Sequence, residues 1–98
     1  MSILPIKLKT NNFILTVEFS DGKVKQIDAR TFLRKDKKTD EIKKSLSMFK
    51  TAFIEDGMAI TWENGFSLDS DVVYEEGEDI QSFQAVSMVQ KVAKHYKK

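Results

Sequence analysis

Apolar and polar residues alternate in short segments over the first two-thirds of the chain, and turn-forming pairs separate the segments. "IKLK" (residues 6–9) alternates apolar with basic and follows Pro5, which predicts a first or edge strand. "FILTVEF" (residues 13–19) places Phe13, Leu15, Val17 and Phe19 on one face and Ile14, Thr16 and Glu18 on the other. The breaks fall at Asn11 with Asn12, Asp21 with Gly22, Asp56 with Gly57, and Asn64 with Gly65. Asx-Gly pairs tolerate the positive φ angles of tight hairpins, so the pattern predicts an antiparallel meander.

"KVKQIDA" follows Asp21 and Gly22. A two-residue turn there would set Phe19 opposite Val24 and Glu18 opposite Lys25, a cross-strand ion pair. Val24 and Ile27 are out of phase by one residue, which calls for either a bulge or a strand covered on both faces. "ARTFLRK" (residues 29–35) predicts one helical turn with Phe32 and Leu33 inward. "KDKKTD" (residues 35–40) has no apolar residue and is expected to be an exposed loop. "DEIKKSLSMFK" (residues 40–50) repeats Ile42, Leu46 and Phe49 at helical spacing behind Asp40 and Glu41, and extended chain is expected to follow near Lys50.

In "MAITWENGFSL" (residues 58–68), Met58, Ile60 and Trp62 are expected on one strand face, Asn64 and Gly65 in the turn, and Phe66 and Leu68 on the returning strand. "DSDVVY" (residues 69–74) opens with helix-capping residues, and Asp69 or Ser70 is expected to cap a short helical turn. "EEGED" (residues 75–79) reads as an acidic hinge and the best internal boundary. It divides a small domain, residues 1–77, from an extension, residues 78–98. In the extension Ala85, Val86, Val89, Val92, Ala93 and Tyr96 form one stripe at 100° per residue, with Lys91, Lys94, Lys97 and Lys98 toward the end, which predicts an amphipathic helix. The fold class is α+β: a small antiparallel sheet of hairpins, one or two helices packed on it, and the added C-terminal helix.

Composition narrows the function classes. The 98 residues fit one domain with a core of its own, and 41% hydrophobic with 32% charged residues suits an ordinary globular chain. Sixteen Lys plus Arg stand against 15 Asp plus Glu, a balance that makes no general case for nucleic acid or an anionic membrane. The chain has no cysteine, which removes disulfides and thiolate metal sites. No apolar run approaches the roughly 18 residues of a membrane span, and the N-terminus lacks the basic start of a secretory signal, so a cytoplasmic location is expected.

Signals for chemistry are sparse. The one histidine, His95, falls on the polar side of the last helix and reads as a solvated surface residue. Asp69, Asp71, Glu75, Glu76, Glu78 and Asp79 cluster in sequence and offer oxygen ligands for a hard cation, but they do not match the twelve-residue calcium loop; caps and solvated charges are the plainer reading. No Gly-rich phosphate loop is present. Arg30, Arg34, Lys35, Lys37 and Lys38 form one basic cluster and the terminal lysines another; either could touch phosphates, although neither accompanies a recognition-helix pattern. Trp62 could serve as a ligand platform, or as core, since it is in phase with Met58 and Ile60. No catalytic residue, metal ligand or cofactor is expected.

The order of these motifs resembles the bacterial domain-of-unknown-function 2442 family over residues 6–74. The carriers are "LTVEFSDGKVKQID" (residues 15–28), a phenylalanine before a strand (Phe49 or Phe53), and "ITWENGFSLDSDVVY" (residues 60–74). Trp62, Asn64, Gly65, Leu68, Asp71 and Tyr74 match the late motif. Ser67 stands where Asp is usual, Ser70 where Pro is usual, and "SLSM" replaces a proline-containing stretch, so the resemblance is to a divergent member. It implies a small α+β protein without an established enzymatic activity. Some members of that family resemble regulatory modules, joined to helix-turn-helix domains or encoded beside a second small protein in a toxin–antitoxin-like pair.

The expected function is therefore a non-enzymatic interaction or regulatory module. Its partner would be another protein, or a second copy in a homodimer. The candidate contact residues are Trp62, Asn64, Asp71 and Tyr74, with Val89 and Tyr96 on the helical stripe. Two alternatives stand beside it: nucleic-acid binding through the Arg30 to Lys38 cluster, and a metal-dependent activity of the carboxylates between Asp69 and Asp79.

Overall fold

In the computed structural model, which describes residues 3–81 and Phe83, the strongest alternating segment becomes a central strand. β1 (Pro5–Asn11), β2 (Ile14–Phe19) and β3 (Val24–Asp28) form an antiparallel meander, and β7 (Glu78–Ile80) adds to the free edge of β3, giving the order β1-β2-β3-β7. Between β3 and β7 run α1 (Ala29–Phe32), α2 (Lys37–Lys44) and α3 (Leu46–Phe49). They lead into a second antiparallel sheet of β4 (Phe53–Glu55), β5 (Ala59–Thr61) and β6 (Ser67–Asp69). α4 (Ser70–Glu76) returns the chain to β7. The class is α+β, as the pattern predicts.

The first sheet has a core face and an outer face. Leu15, Val17 and Phe19 are fully buried on the core face, and Ile27 pairs with Leu15 beside them. Ile42 from α2, Phe49 from α3, Ile60 and Trp62 from the second sheet, and Val73 from α4 complete the core. Phe13 approaches Phe49 at 5.5 Å, Phe49 approaches Trp62 at 6.2 Å, and Trp62 approaches Phe66 at 5.8 Å. This row of rings stitches the two sheets together with the offset contacts that aromatic quadrupoles favour.

The β2–β3 hairpin corrects the expected register. Glu18 faces Val24, and Val17 faces Lys25, so Glu18 and Lys25 lie on opposite faces. The loop has three residues, 20–22, closed by Phe19 N–H to Lys23 O at 2.8 Å and Gly22 N–H to Phe19 O at 2.9 Å, with Gly22 at φ +92°. One extra loop residue shifts every pair and exchanges the faces. It also resolves the phase conflict: Ile27 points into the core, Val24 points to the outer face against Ile80, and both are buried. The β5–β6 hairpin repeats the construction, with Trp62 N–H to Phe66 O and Gly65 N–H to Trp62 O both at 2.9 Å and Gly65 at φ +92°.

Four further expectations give way. The first turn centres on Asn12 and Phe13, both at positive φ, so Phe13 leaves the strand while its ring still reaches the core. α2 begins inside the segment expected to be a loop: the Asp36 side chain accepts from Lys38 N–H, and the buried Thr39 hydroxyl donates to Arg34 O and Asp36 O. Capping replaces the missing apolar signal there. Met58 follows the Asp56 and Gly57 turn as an extra residue, donating its N–H to Glu55 O, and is 60% exposed instead of sharing a face with Ile60. Glu78–Ile80, expected as the end of the acidic hinge and the start of the helical extension, is strand β7 on the main sheet. The predicted stripe from Ala85 to Tyr96 lies outside the described residues. No helix among the described residues is long and apolar enough to cross a membrane.

Candidate functional site

Trp62 is 1% exposed and its Nε1–H donates to Phe49 O at 3.0 Å, so it belongs to the core and presents no face to a ligand. Asn64 is a tie between elements. Its Nδ2 donates to Lys38 O at 3.0 Å and to Glu41 Oε1 at 2.9 Å, while its Oδ1 accepts from Phe66 N–H at 3.1 Å. The β5–β6 loop is thereby fastened to α2.

Asp71 and Tyr74 belong to a different place. They sit on α4, whose start is fixed by the Asp69 carboxylate accepting from Asp71 N–H at 3.0 Å and by Ser70 N–H donating to Met58 O at 3.3 Å. Opposite α4 lies the chain ahead of β1, held by a reciprocal pair: Leu4 N–H to Ser20 Oγ at 3.0 Å and Ser20 N–H to Leu4 O at 2.7 Å. Between them runs a groove of about 410 Å³ with Ile3, Leu4, Met58 and Tyr74 as apolar walls and Asp69, Asp71 and Glu75 along its border. Leu4 is 40% and Met58 60% exposed, among the most exposed large apolar side chains described.

Tyr74 is the fixed point of the groove. Its hydroxyl donates to Asp21 Oδ2 at 2.6 Å, and Asp21 Oδ1 accepts from Lys23 N–H at 3.0 Å. Phe19 meets the Tyr74 ring edge-on at 5.0 Å, and the Lys25 amine stands 5.2 Å over the ring while pairing with Asp79 at 2.8 Å. The Tyr74 hydroxyl bond, then the Lys23 backbone N–H, hold the Asp21 carboxyl below its ordinary value. The bond to Asp21 raises the Tyr74 phenol in return. Hydrogen bonding to the Lys25 ammonium, with its charge, lowers Asp79.

The acidic run is divided by the fold. Asp69, Asp71 and Glu75 border the groove, Glu76 and Glu78 line a separate hollow beside β3, and Asp79 is neutralised by Lys25. Among the described residues no group of three or more His, Cys, Asp or Glu could hold a metal ion. The basic cluster spans α1 and the start of α2. Arg30 pairs with Asp28 at 3.5 Å and lies 5.1 Å over Phe13, and Arg34 borders a hollow of about 560 Å³. Lys35, Lys37 and Lys38 alternate with Asp36 and Asp40 in sequence. That hollow is walled by Phe32, Phe66 and Leu68, which pack on the core; none of the most exposed large apolar residues reaches it. It is a seam in the packing, whereas the Leu4–Met58 groove leaves apolar surface open.

The motifs that form the two matching hairpins and α4 decide the family. The family model described as Protein of unknown function (DUF2442) matches residues 8–79. The chain belongs to this family. The matched region of this DUF2442 chain runs from within β1 into β7, so both sheets and all four described helices fall inside it or touch it. It extends past the expected limit at Tyr74, because β7 is part of the sheet. No curated protein and no solved structure matches the chain.

Ile3, Leu4 and Met58 escaped the sequence reading. Met58 follows an Asp-Gly turn, and that position is where a loop can carry an extra residue off the strand face. Ile3 and Leu4 carry no local signal, since only the β1–β2 pairing brings them to α4.

Proposed function

We propose that this protein is a non-enzymatic interaction module that binds a partner protein through the groove between residues 3–4, Met58 and α4. The supporting observation is the grouping of exposed Ile3, Leu4 and Met58 around an anchored tyrosine. Monomeric domains seldom leave large apolar side chains grouped in water unless a partner uses them. A rigid aromatic bordered by charge is the usual anatomy of a contact surface, with an apolar centre and a polar rim. Membership of a family without a stated activity is compatible with a regulatory role, as one half of a toxin–antitoxin-like or transcription-regulating pair.

The test is affinity capture from the native host with the full chain as bait, beside Leu4→Glu and Met58→Glu. Both residues are exposed, so the variants are expected to melt within a few degrees of wild type. Loss of a specific captured protein by both variants is the expected result. Equal capture by wild type and variants would overturn the assignment of this surface.

A further inference from the structure

We propose that the occupant of the Leu4–Met58–Tyr74 groove is an amphipathic helix of the partner protein, apolar along one face and carrying lysine or arginine on its flank. The inference rests on the interaction reading above and adds the secondary structure and the charge of the partner's segment.

The backbone decides the secondary structure. Leu4 N–H donates to Ser20 Oγ and Leu4 O accepts from Ser20 N–H. Met58 N–H donates to Glu55 O and Met58 O accepts from Ser70 N–H. Tyr74 lies within α4. These walls offer side chains and no free row of N–H and C=O groups, so an extended peptide has no strand edge to join there. A helix satisfies its own backbone and presents only side chains, which is what such walls receive.

Charge sets the flank. Asp69, Asp71 and Glu75 border the groove, are exposed, and pair with no cation of the described residues. Asp71 and Glu75 stand one helical turn apart on α4, where like charges repel. Glu75 also falls in the last turn of α4, beside the negative end of the helix dipole, and that turn has no basic residue. A lysine or arginine supplied by the partner relieves both. The same carboxylates argue against a second copy of this chain, because a two-fold contact through the groove would set the acidic border against itself. The described chain leaves the groove open: beyond β7, Phe83 stands with its ring 4.6 Å from the Lys9 amine and 5.9 Å from the Lys7 amine, on the outer face of the first sheet.

The test uses a displayed library of peptides of about 18 residues, long enough to hold a helix, with a fixed leucine stripe and flank positions varied among Lys, Gln and Glu. The library is selected on the full-length chain and on the full-length double variant Asp71→Lys with Glu75→Lys. Wild type should enrich lysine at the flanks. Affinity for a selected peptide, read by fluorescence anisotropy, should fall several-fold when salt is raised to about 1 M and several-fold again in Met58→Ser. The double variant should enrich glutamate instead. All three substituted positions are exposed, and thermal melts followed by circular dichroism check that the variants stay folded. Enrichment of Gln or Glu by wild type, equal binding by Met58→Ser, an unchanged preference in the double variant, or no enrichment would each overturn the proposal. So would a dimer in sedimentation that Met58→Ser dissociates, since a second copy would then fill the groove. The two readings are separable. If capture from the host still depends on Leu4 and Met58 while the library shows no preference for lysine, the groove binds a partner of different chemistry.

Discussion

The hydroxyl of Tyr74 donates to the carboxylate of Asp21 at 2.6 Å across 53 residues of sequence. The bond joins the second turn of α4 to the β2–β3 loop and holds one wall of the groove. Its pH dependence has two sides. Asp21 is lowered from 3.8, so its contribution is complete above that value and is lost as pH falls through the lowered folded-state pKa. Tyr74 is raised from 10.0, so its contribution is complete below 10.0 and is lost as pH rises through the raised folded-state pKa. Tyr74→Phe should move the Asp21 titration, followed by NMR, back toward 3.8. The stability gap between wild type and variant should be widest between the two limits and shrink outside them.

Trp62→Phe should lower stability by about 2 kcal/mol, combining a lost hydrogen bond to Phe49 O with a partly filled cavity. Phe49 O also accepts from Ala52 N–H at 3.3 Å, so the carbonyl is not orphaned and the loss stays moderate. Circular dichroism in urea checks it, since the variant has no tryptophan to report. The midpoint should fall with the slope unchanged.

Gly22 and Gly77 are required for opposite reasons, and asparagine separates them. Gly22 has φ +92° with open space around a would-be Cβ, so Gly22→Asn should be mild and Gly22→Ala should cost about 1–2 kcal/mol. Gly77 has ordinary φ, but a Cβ would lie 2.6 Å from Val73 O and 3.0 Å from Lys25 Cβ. Both Gly77→Ala and Gly77→Asn should therefore destabilise, by about 1–3 kcal/mol, and should speed amide exchange where β7 pairs with β3.

Asn64→Ala should cost about 1–2 kcal/mol, because it removes the link from the β5–β6 loop to Lys38 O and Glu41. Faster exchange at Phe66 N–H, which loses its Asn64 Oδ1 acceptor, is the local readout. The family-motif asparagine then has a structural role, and its loss should leave partner capture through the groove unaffected.

Much of the fold was legible because its signals are local. Alternation in residues 13–19 marks a half-buried strand, Asp and Gly mark the loops, and Asp69 marks a helix start. The register was not legible. A loop of two residues and a loop of three use the same Asp-Gly pair, and only the pairing of Phe19 with Lys23 distinguishes them. Met58 shows the same limit, since one extra loop residue sends an apolar side chain from the expected strand face into water.

The sequence by itself determined most of the element types, the core set around Leu15, Val17 and Ile60, and the family, since periodicity, turn chemistry and motif order are properties of neighbouring residues. The tertiary structure alone decided which residues form a surface. It buried Trp62, gave Asn64 to α2, and added Glu78–Ile80 to the main sheet. It also brought Leu4, Met58 and Tyr74 to one groove from three separate segments. Contacts over such separations depend on strand register and on how α4 crosses back to the first sheet, and no short window of sequence encodes either.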